Sequence, residues 1–361
     1  MKISLTTTLA CSVNEAWDAL QNPDVFRAVS RPFLRFLPVR PNTFPQRWVS
    51  GESYLVKGLA LSLIPLGTQE INPVTSAEGM SKTFRDHGRG KSGALGVVRS
   101  FAHTMRLEPS HLGSTILRDE LNFRAGALTP LLWVGFSLFW WWRHRQMKMF
   151  APAWRSEAAQ RWDARYLSAL MWSGKPNAAL ANIVSGLPLG TALDVGAGEG
   201  ADALWLSEQG WDVTASDLSL VALARAESAR VSRVTQDHIP RRVRWFALDA
   251  AVEPLPSPPD HYDLVVTFFS HLPLPERHAL WKAMADRVAP GGTLAIVGHS
   301  VRDLEAGVRR PPADLMFDEE ELRGALQSSF SSVVVATQPR SEVTPDGTTI
   351  EVADVVAIAT R

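Results

Sequence analysis

The sequence contains very little cysteine, since Cys11 is the one cysteine among 361 residues. A single thiol excludes internal disulfide bonds and zinc sites built from several cysteines, so we expect a reducing, cytoplasmic setting and predict no metal site. A long apolar run is also lacking, because Leu131–Trp142 is shorter than the roughly 20 residues that cross a bilayer. The first residues, MKISLTTTLACS, alternate apolar with polar side chains, so we expect no secretory signal peptide.

An excess of one charge is lacking too, since 37 Lys and Arg balance 37 Asp and Glu. The balance hides an asymmetry: residues 1–150 hold 18 basic and 10 acidic residues, a net charge of +8, and the remainder has a net charge of −8. A basic half suits anionic ligands or an anionic surface, and it equally suits docking on the acidic half. The chain length itself predicts two domains.

Residues 1–150 are predicted to form strands that precede one long helix. The segment KISLTTTL alternates in the manner of a strand, and Ser12 or Asn14 can cap a following helix that Pro23 helps to stop. The later segments FAHTMRL and TILRDELNF also alternate, which is typical of antiparallel strands.

The long helix is predicted over residues 129–150, TPLLWVGFSLFWWWRHRQMKMF. Its first part is apolar on all sides and its last part is basic. Two interpretations remain: a buried helix packed in the mouth of a curved sheet, or a helix in peripheral contact with a membrane surface through residues 131–150, with Trp and Arg/Lys at headgroup level.

This order of elements resembles the helix-grip fold of the START/polyketide-cyclase (SRPBCC) superfamily. The resemblance covers about residues 1–150, is architectural, and implies an apolar cavity for a hydrophobic ligand between sheet and helix. It makes Trp133, Phe136 and Trp140 candidates to line that cavity. Asp119, on an otherwise apolar strand face, is predicted either to contact the ligand or to pair with a neighbouring arginine.

After Gly190 the sequence alternates short apolar segments with helical ones, from TALDV to EVADVVAIAT. Such alternation predicts an α/β fold with a mainly parallel sheet covered on both faces, here with seven strands. Two consecutive strands at the end suggest that the last one runs antiparallel. We assign residues 191–361 to this domain and 151–190 to a linker that covers the cofactor.

The loop LDVGAGEG follows the first of these strands and can bind either a dinucleotide or a methyl donor. The acidic residues around this loop discriminate between these two candidate ligands. Asp194 precedes the turn, where it suits an ammonium group, and Glu199 lies where a pyrophosphate would meet it. Asp217 ends the second strand and can accept hydrogen bonds from ribose hydroxyls in either case. The sequence therefore favours a cationic ligand without phosphate, which S-adenosylmethionine satisfies.

From about residue 160 onward, the chain resembles the class I S-adenosylmethionine-dependent methyltransferases. The segments LDVGAGEG, VTASDLS, FALDA and VAPGGTLAIVGH carry the resemblance, and RWDARYLSALMWSGKPN resembles the tellurite- and thiopurine-type subset. The resemblance implies that Asp194, with the backbone at Gly196 and Gly198, holds the methionine portion. Asp217 would hold the ribose, and Leu218 would lie against the adenine.

The same resemblance implies four further positions around the cofactor. Asp249 would face the adenine amino group, and Ala250 would supply a backbone contact. Phe268, with Phe269, would lie near the sulfonium methyl group, and Trp172 would lie in the covering segment.

Methyl transfer from a sulfonium is an in-line displacement, so the enzyme mainly aligns donor and acceptor. His271, after the fourth strand, is the candidate general base, and His299 is a weaker candidate. We expect a small, hydrophobic or lipid-like acceptor, presented by the N-terminal cavity, and no nucleic acid, because this half is acidic. The alternative is a protein that binds or senses a hydrophobic ligand at a membrane surface and binds S-adenosylmethionine without efficient transfer.

Overall fold

The computed structural model describes residues 1–110, 112–168, 174–233, 242–257, 259–305, 308, 311–343 and 348–361. The chain divides into two compact units. The N-terminal unit comprises Met1–Ser110 and Ser114–Ser156, and the C-terminal unit comprises Leu112–Gly113 and Glu157–Arg361. The domain boundaries predicted at residues 150 and 190 stay predictions.

The N-terminal unit contains two antiparallel sheets. Their strands are β1 (Lys2–Leu9), β2 (Leu34–Arg40), β3 (Tyr54–Ala60), β4 (Ile64–Ile71), β5 (Pro73–Glu78), β6 (Ser81–Asp86), β7 (Arg89–Gly90), β8 (Ser100–Pro109) and, after β9 (Leu112–Gly113) of the other unit, β10 (Thr115–Arg124). One sheet has the order β1-β10-β8-β6-β5 and the other β2-β3-β4-β7. The alternating segments of the sequence are therefore antiparallel strands, as predicted.

Three helices accompany these sheets within the described residues: α1 (Val13–Gln21), α2 (Pro23–Ser30) and α3 (Thr129–Phe150). Ser12 caps α1, and its side chain and that of Glu15 form a reciprocal capping box. The sequence predicts that Pro23 helps to stop this helix. Helix α1 does end at Gln21, just before Pro23, and Pro23 is also the first residue of α2, because Asn22 caps that helix and a proline needs no N–H donor in a first helical turn.

Helix α3 has the predicted bounds, and it buries one side while exposing the other. Phe136 and Trp140 pack with Leu121 and Phe123 of β10, and both line an apolar cavity of about 90 Å³. Trp133, the third predicted lining residue, is partly exposed and instead donates its indole N–H to the backbone oxygen of Lys2 at 3.1 Å. Within the described residues, no helix is both long and apolar enough to cross a bilayer.

Asp119 of β10 lies at the centre of a buried polar cluster. Its carboxylate accepts hydrogen bonds from Arg143 at 2.9 Å and from the indole of Trp140 at 3.0 Å, and it pairs with His103 at 2.7 Å and His144 at 3.2 Å. Of the two predicted roles, pairing with an arginine is therefore the one the structure contains. Burial alone would raise the pKa of Asp119, but His103, His144 and Arg143 hold it well below its usual value.

The C-terminal unit alternates strands with helices. Its strands are β9, β11 (Thr191–Val195), β12 (Asp212–Asp217), β13 (Arg244–Ala247), β14 (Tyr262–Phe268), β15 (Val288–His299), β16 (Ser332–Val343) and β17 (Thr349–Thr360). Its helices are α4 (Glu157–Ser168), α5 (Ala178–Val184), α6 (Ala201–Gln209), α7 (Leu220–Ser232), α8 (Leu274–Asp286), α9 (Arg302–Glu305) and α10 (Glu319–Leu326). The sheet order is β16-β17-β15-β14-β11-β12-β13-β9.

The predicted α/β class is confirmed, but the predicted number of strands is wrong. The sheet has eight strands because Leu112–Gly113 pairs in parallel with β13 at one edge. Two residues are too short to show a strand period in the sequence. The last strand, β17, runs antiparallel to both β15 and β16, as expected from the two consecutive strands.

Candidate functional site

The carboxyl ends of the parallel strands of the C-terminal unit open into a cavity of about 1080 Å³. Ligands of open α/β sheets bind at this edge. The described residues around it include six carboxylates and two cations, so the wall is predominantly acidic. The carboxylates belong to Glu199, Asp202, Asp217, Asp249, Glu342 and Asp354, and the cations to Lys175 and Arg340. Such a wall suits a cationic ligand better than a pyrophosphate.

The glycine loop lies between β11 and α6 and forms one side of this cavity. Gly196 has φ of 80°, and a Cβ atom there would come within 2.5 Å of the Ser270 hydroxyl. Gly200, with φ of 79°, caps α6, and a Cβ atom there would collide with Trp245. These two glycines are required by the turn itself, while Gly196 and Gly198 leave backbone exposed to the cavity.

Asp194, at the end of β11, is buried behind the cavity wall rather than on it. It accepts a hydrogen bond from the backbone N–H of Ala203, and its Oδ2 atom has no hydrogen-bond partner among the described residues. Burial, together with the negative charges of Asp202 and Asp217, raises its pKa well above the usual value. A carboxylate in this setting is stabilised by a cation brought close to it.

Asp202, on the first turn of α6, is a candidate that sequence reasoning missed. It lines the cavity, accepts the backbone N–H of Asn177 at 2.5 Å, and burial raises its pKa to about 6. In the sequence it looks like an ordinary acidic residue of a first helical turn, and only the fold brings it next to Asp194. The two acids together concentrate negative charge beside the glycine loop.

Asp217 lies at the end of β12 and on the cavity wall, as predicted. Its Oδ2 atom accepts the Gly198 N–H at 2.8 Å and its Oδ1 atom accepts the Ser219 N–H at 2.7 Å. Leu218 lies beside it on the wall, and Ser219, not Asp217, caps the next helix.

Glu199 also lines the cavity, but its charge is already paired. Its Oε1 atom lies 2.8 Å from Nη1 of Arg225 on α7. The prediction that Glu199 would repel a pyrophosphate is therefore weakened. The negative charge that disfavours a phosphate comes instead from Asp194, Asp202 and the acidic wall as a whole.

The loop after β13 brings Asp249 and Ala250 to the wall. The Asp249 carboxylate accepts the Ala251 N–H at 3.1 Å, so this residue shapes a turn and lines the cavity at once. Helix α4 also contributes Trp162 and Tyr166 to the wall, and their rings lie 5.9 Å apart. Trp172, the predicted residue of the covering segment, lies outside the described residues.

An aromatic group lies at the ends of β14 and β15. Phe268 and Phe269 line the cavity, and Phe269, with φ of 57°, sets its ring 4.5 Å from that of His299. His299 in turn stacks on His271, with ring centroids 5.2 Å apart and an interplanar angle of 12°. Both histidines line the cavity, so the structure brings the two predicted proton acceptors together.

His299 has a carboxylate partner. Its Nδ1 atom lies 3.5 Å from the Asp354 carboxylate, which also accepts a hydrogen bond from Nε of Arg340 at 2.6 Å. Burial alone would raise the pKa of Asp354, but the interactions with His299 and Arg340 hold it below the usual value. Nδ1 of His299 and Oδ1 of Asp354 make no hydrogen bond among the described residues, so Asp354 acts on His299 as a nearby negative charge.

The second half of β16 completes this side of the cavity through Gln338–Glu342, a segment that the sequence did not indicate. Strand β16 continues through this segment to Val343, beyond the apolar run that ends at Ala336. Pairing with β17 extends it, and Pro339 is tolerated because β16 is an edge strand.

Residues 192–292, within the C-terminal unit, match a protein family described as a methyltransferase domain. None of the curated proteins compared with the chain matches it. The family match and the acidic cavity together support S-adenosylmethionine as the cofactor.

The solved structures with a similar fold include three that span different shares of the chain. TehB from Haemophilus influenzae is 14% identical over 91% of this chain and 88% of its own, with a TM-score of 0.41. Magnesium protoporphyrin IX methyltransferase from Synechocystis PCC 6803, with bound SAM, is 18% identical over 51% of this chain and 76% of its own, with a TM-score of 0.38. A protein described for the conversion of a disulfide bond into a thioacetal group during echinomycin biosynthesis is 21% identical over 57% of this chain and 92% of its own, with a TM-score of 0.44. Because all three TM-scores are below 0.5, these structures support no inference about function.

Proposed function

We propose that the C-terminal unit transfers a methyl group from S-adenosylmethionine to a small, hydrophobic or lipid-like acceptor. One observation carries the cofactor part of this proposal. Asp194 and Asp202 lie beside the glycine loop with raised pKa values, and Asp194 keeps a buried oxygen without a hydrogen-bond partner among the described residues. An ammonium group is the ligand chemistry that relieves this excess of negative charge.

The residues present fit the rest of such a cofactor. Asp202 would meet the ammonium group directly, with Asp194 behind it, while the backbone at Gly196 and Gly198 borders the methionine portion. By the resemblance to class I methyltransferases, Asp217 and Leu218 would hold the ribose and the adenine face. Asp249 and Ala250 would hold the adenine edge.

When bound, S-adenosylmethionine supplies an electrophilic methyl group whose leaving group needs no proton. The work left to the protein is to exclude water and to align the acceptor, which by itself accounts for a large part of such rate enhancements. Phe268 and Phe269 provide an apolar border at the place where the acceptor would lie.

We infer that His299 accepts a proton from acceptors that must lose one. The sequence favours His271 for this role, but His299 has a carboxylate, that of Asp354, 3.5 Å from its Nδ1 atom. His271, stacked on it, would position the ring. Such a pair suits a hydroxyl or amine acceptor more than one that carries no proton.

We further infer that the N-terminal unit is a START/polyketide-cyclase-like domain that presents an apolar group of the acceptor. The antiparallel strands, the long helix after them and the apolar cavity support this. The cavity of about 90 Å³ is smaller than the roughly 150 Å³ space that holds benzene in an engineered protein interior. It therefore suits a small apolar group rather than a whole lipid.

The cofactor proposal is tested by calorimetry with S-adenosylmethionine on the wild-type protein, Asp202→Asn and, as a matched control, Asp286→Asn. Asp286 is an exposed acid that pairs with Lys282 on α8. We expect binding by the wild type and the control and weaker binding by Asp202→Asn. Absence of binding to the wild type would contradict the proposal.

The acceptor is tested by native mass spectrometry of the purified protein, followed by incubation of the identified molecule with labelled S-adenosylmethionine. With that acceptor in hand, we expect His299→Gln to lower kcat and change its pH profile, and His271→Gln to have the smaller effect. The reverse order would return the proton-accepting role to His271.

A further inference from the structure

Helix α3 exposes a stripe of side chains at a spacing of three or four residues, which places them on one helix face. All six are exposed: Leu131, Val134, Leu138, Trp141, Arg145 and Lys148. The stripe is apolar over its first four positions and cationic over its last two, and α3 contains no acidic residue. The opposite face of α3 packs against the core and the cavity. Packing within the N-terminal unit therefore does not explain the apolar side chains of the exposed stripe.

The turn between β3 and β4 exposes a second apolar group. Leu61, Leu63 and Ile64 are 58%, 81% and 58% exposed. Leu61 and Ser62 both adopt left-handed backbone conformations, with φ of 47° and 65°, which favour glycine or asparagine. A leucine at such a position adds strain and exposes apolar surface, and no burial in the described unit offsets either cost.

Phe33 joins the turn to the helix. The Leu61 N–H donates to the backbone oxygen of Phe33 at 2.8 Å, and the exposed Phe33 ring lies 5.4 Å from the ring of Trp142 on α3. The Trp142 indole also donates to the backbone oxygen of Arg31 at 2.8 Å. We call Phe33, Leu61, Leu63, Ile64 and the four apolar positions of the α3 stripe the apolar face. An exposed apolar surface of this extent marks an interaction site.

Cations surround the apolar face. Arg31 and Arg35 are exposed beside Phe33, and Arg145 and Lys148 continue the α3 stripe. These cations lie within residues 25–51 and 125–151, and neither range contains an acidic residue. Tryptophan, leucine and basic side chains in this arrangement suit the boundary between acyl chains and anionic headgroups.

We propose that the N-terminal unit docks through the apolar face on a membrane surface that carries anionic lipids. The apolar side chains enter the acyl boundary, and the four cations meet the headgroups. A second copy of the chain is a less suitable occupant, because parallel packing of two α3 stripes would bring Arg145 and Lys148 against their own copies, and antiparallel packing would set these cations on apolar positions of the other copy. This inference goes beyond methyl transfer and does not depend on it.

The test is flotation of the full-length protein with vesicles of phosphatidylcholine alone and of phosphatidylcholine with phosphatidylserine. We expect binding to the anionic vesicles, weakened by salt. Arg145→Gln with Lys148→Gln should weaken it about 25-fold, since each surface cation contributes roughly fivefold. Leu63→Asn with Leu138→Asn should weaken it by about tenfold or more.

Matched controls remove similar side chains from the other unit. Val252→Asn with Val334→Asn replaces residues that are 78% and 60% exposed, and Arg161→Gln with Lys282→Gln replaces exposed cations. Both controls should bind like the wild type, and thermal melting checks that every variant is folded.

Three results would overturn the proposal. The first is no binding to anionic vesicles, and the second is binding of the two apolar-face variants at wild-type strength. The third is a dimer that Leu63→Asn with Leu138→Asn dissociates while vesicle binding is unchanged, which would assign the apolar face to a second copy.

Discussion

Both units bury aspartates, and two of these, Asp119 and Asp194, have opposite surroundings. Asp119 in the N-terminal unit meets Arg143, two histidines and an indole N–H, and its pKa lies well below the usual value. Asp194 in the C-terminal unit meets one backbone N–H and two further acids, and its pKa lies well above the usual value. A buried charge whose partners are all within the protein stabilises the fold. A buried charge that lies beside like charges indicates a binding site for a ligand of opposite charge.

The largest expected effect comes from the compensated aspartate. Asp119→Asn leaves Arg143 buried without its counter-charge, which costs about 3–5 kcal/mol in the free energy of unfolding. Urea denaturation, followed by a signal from the N-terminal unit, measures this. Asp194→Asn should change the free energy of unfolding by less than about 1 kcal/mol, because it removes a charge that nothing compensates. Equal losses in both variants would remove the contrast between the two sites.

For the binding of S-adenosylmethionine, the order of the two variants is reversed, and Asp194→Asn should have the larger effect. Asp194→Asn should weaken the binding of S-adenosylmethionine by about 1–2 kcal/mol, the attraction between unit charges roughly 8 Å apart at an effective dielectric constant of about 20–40, because Asp194 lies behind Asp202. Asp119→Asn, where it remains folded, should bind like the wild type. Calorimetry at one pH gives both values, and wild-type affinity in Asp194→Asn would show that the charge of Asp194 does not contribute to ligand binding.

The two sites should also respond to pH in opposite directions. The folded pKa of Asp202 is about 6 against an ordinary value of 3.8, so its contribution to stability is present below 3.8 and is lost as the pH rises through 6. Asp119 has a lowered pKa, so its contribution is present above 3.8 and is lost as the pH falls through the folded pKa.

Binding follows from the same titration. A cationic ligand prefers ionised Asp202. Below pH 6, its affinity should therefore increase by about tenfold, or 1.4 kcal/mol, for each unit by which the pH is raised, and above pH 6 it should level off. Calorimetry from pH 5 to pH 7 measures this rise, and Asp202→Asn is the control that should show a flatter profile. A rise of the same size in Asp202→Asn would assign the titration to another group.

The contrast between the two aspartates could be predicted only in part from the sequence. Local patterns were sufficient for α3, for the alternating strands and for the glycine loop, because period and turn chemistry lie within short segments. The eighth strand and the second half of β16 depend on pairing with distant strands, which a local pattern does not contain. The same holds for the site: Asp194 follows from its position before the turn, but Asp202 and the His299–Asp354 pair depend on which elements the fold brings together.

Substitution of Glu199 should have the smallest effect on ligand binding, and it tests most directly whether an acid that is already paired contributes to the site. The sequence assigns Glu199 the same task as Asp194, since both acids flank the glycine turn. Arg225 already neutralises it in a partly exposed ion pair, and such pairs contribute about 0–1 kcal/mol. Glu199→Gln should therefore change the affinity for S-adenosylmethionine by less than about fivefold. Arg225→Gln is the matched control, since it removes the other half of the pair. Calorimetry that found Glu199→Gln as damaging as Asp194→Asn would mean that the ligand, not Arg225, is the partner that Glu199 meets in the complex.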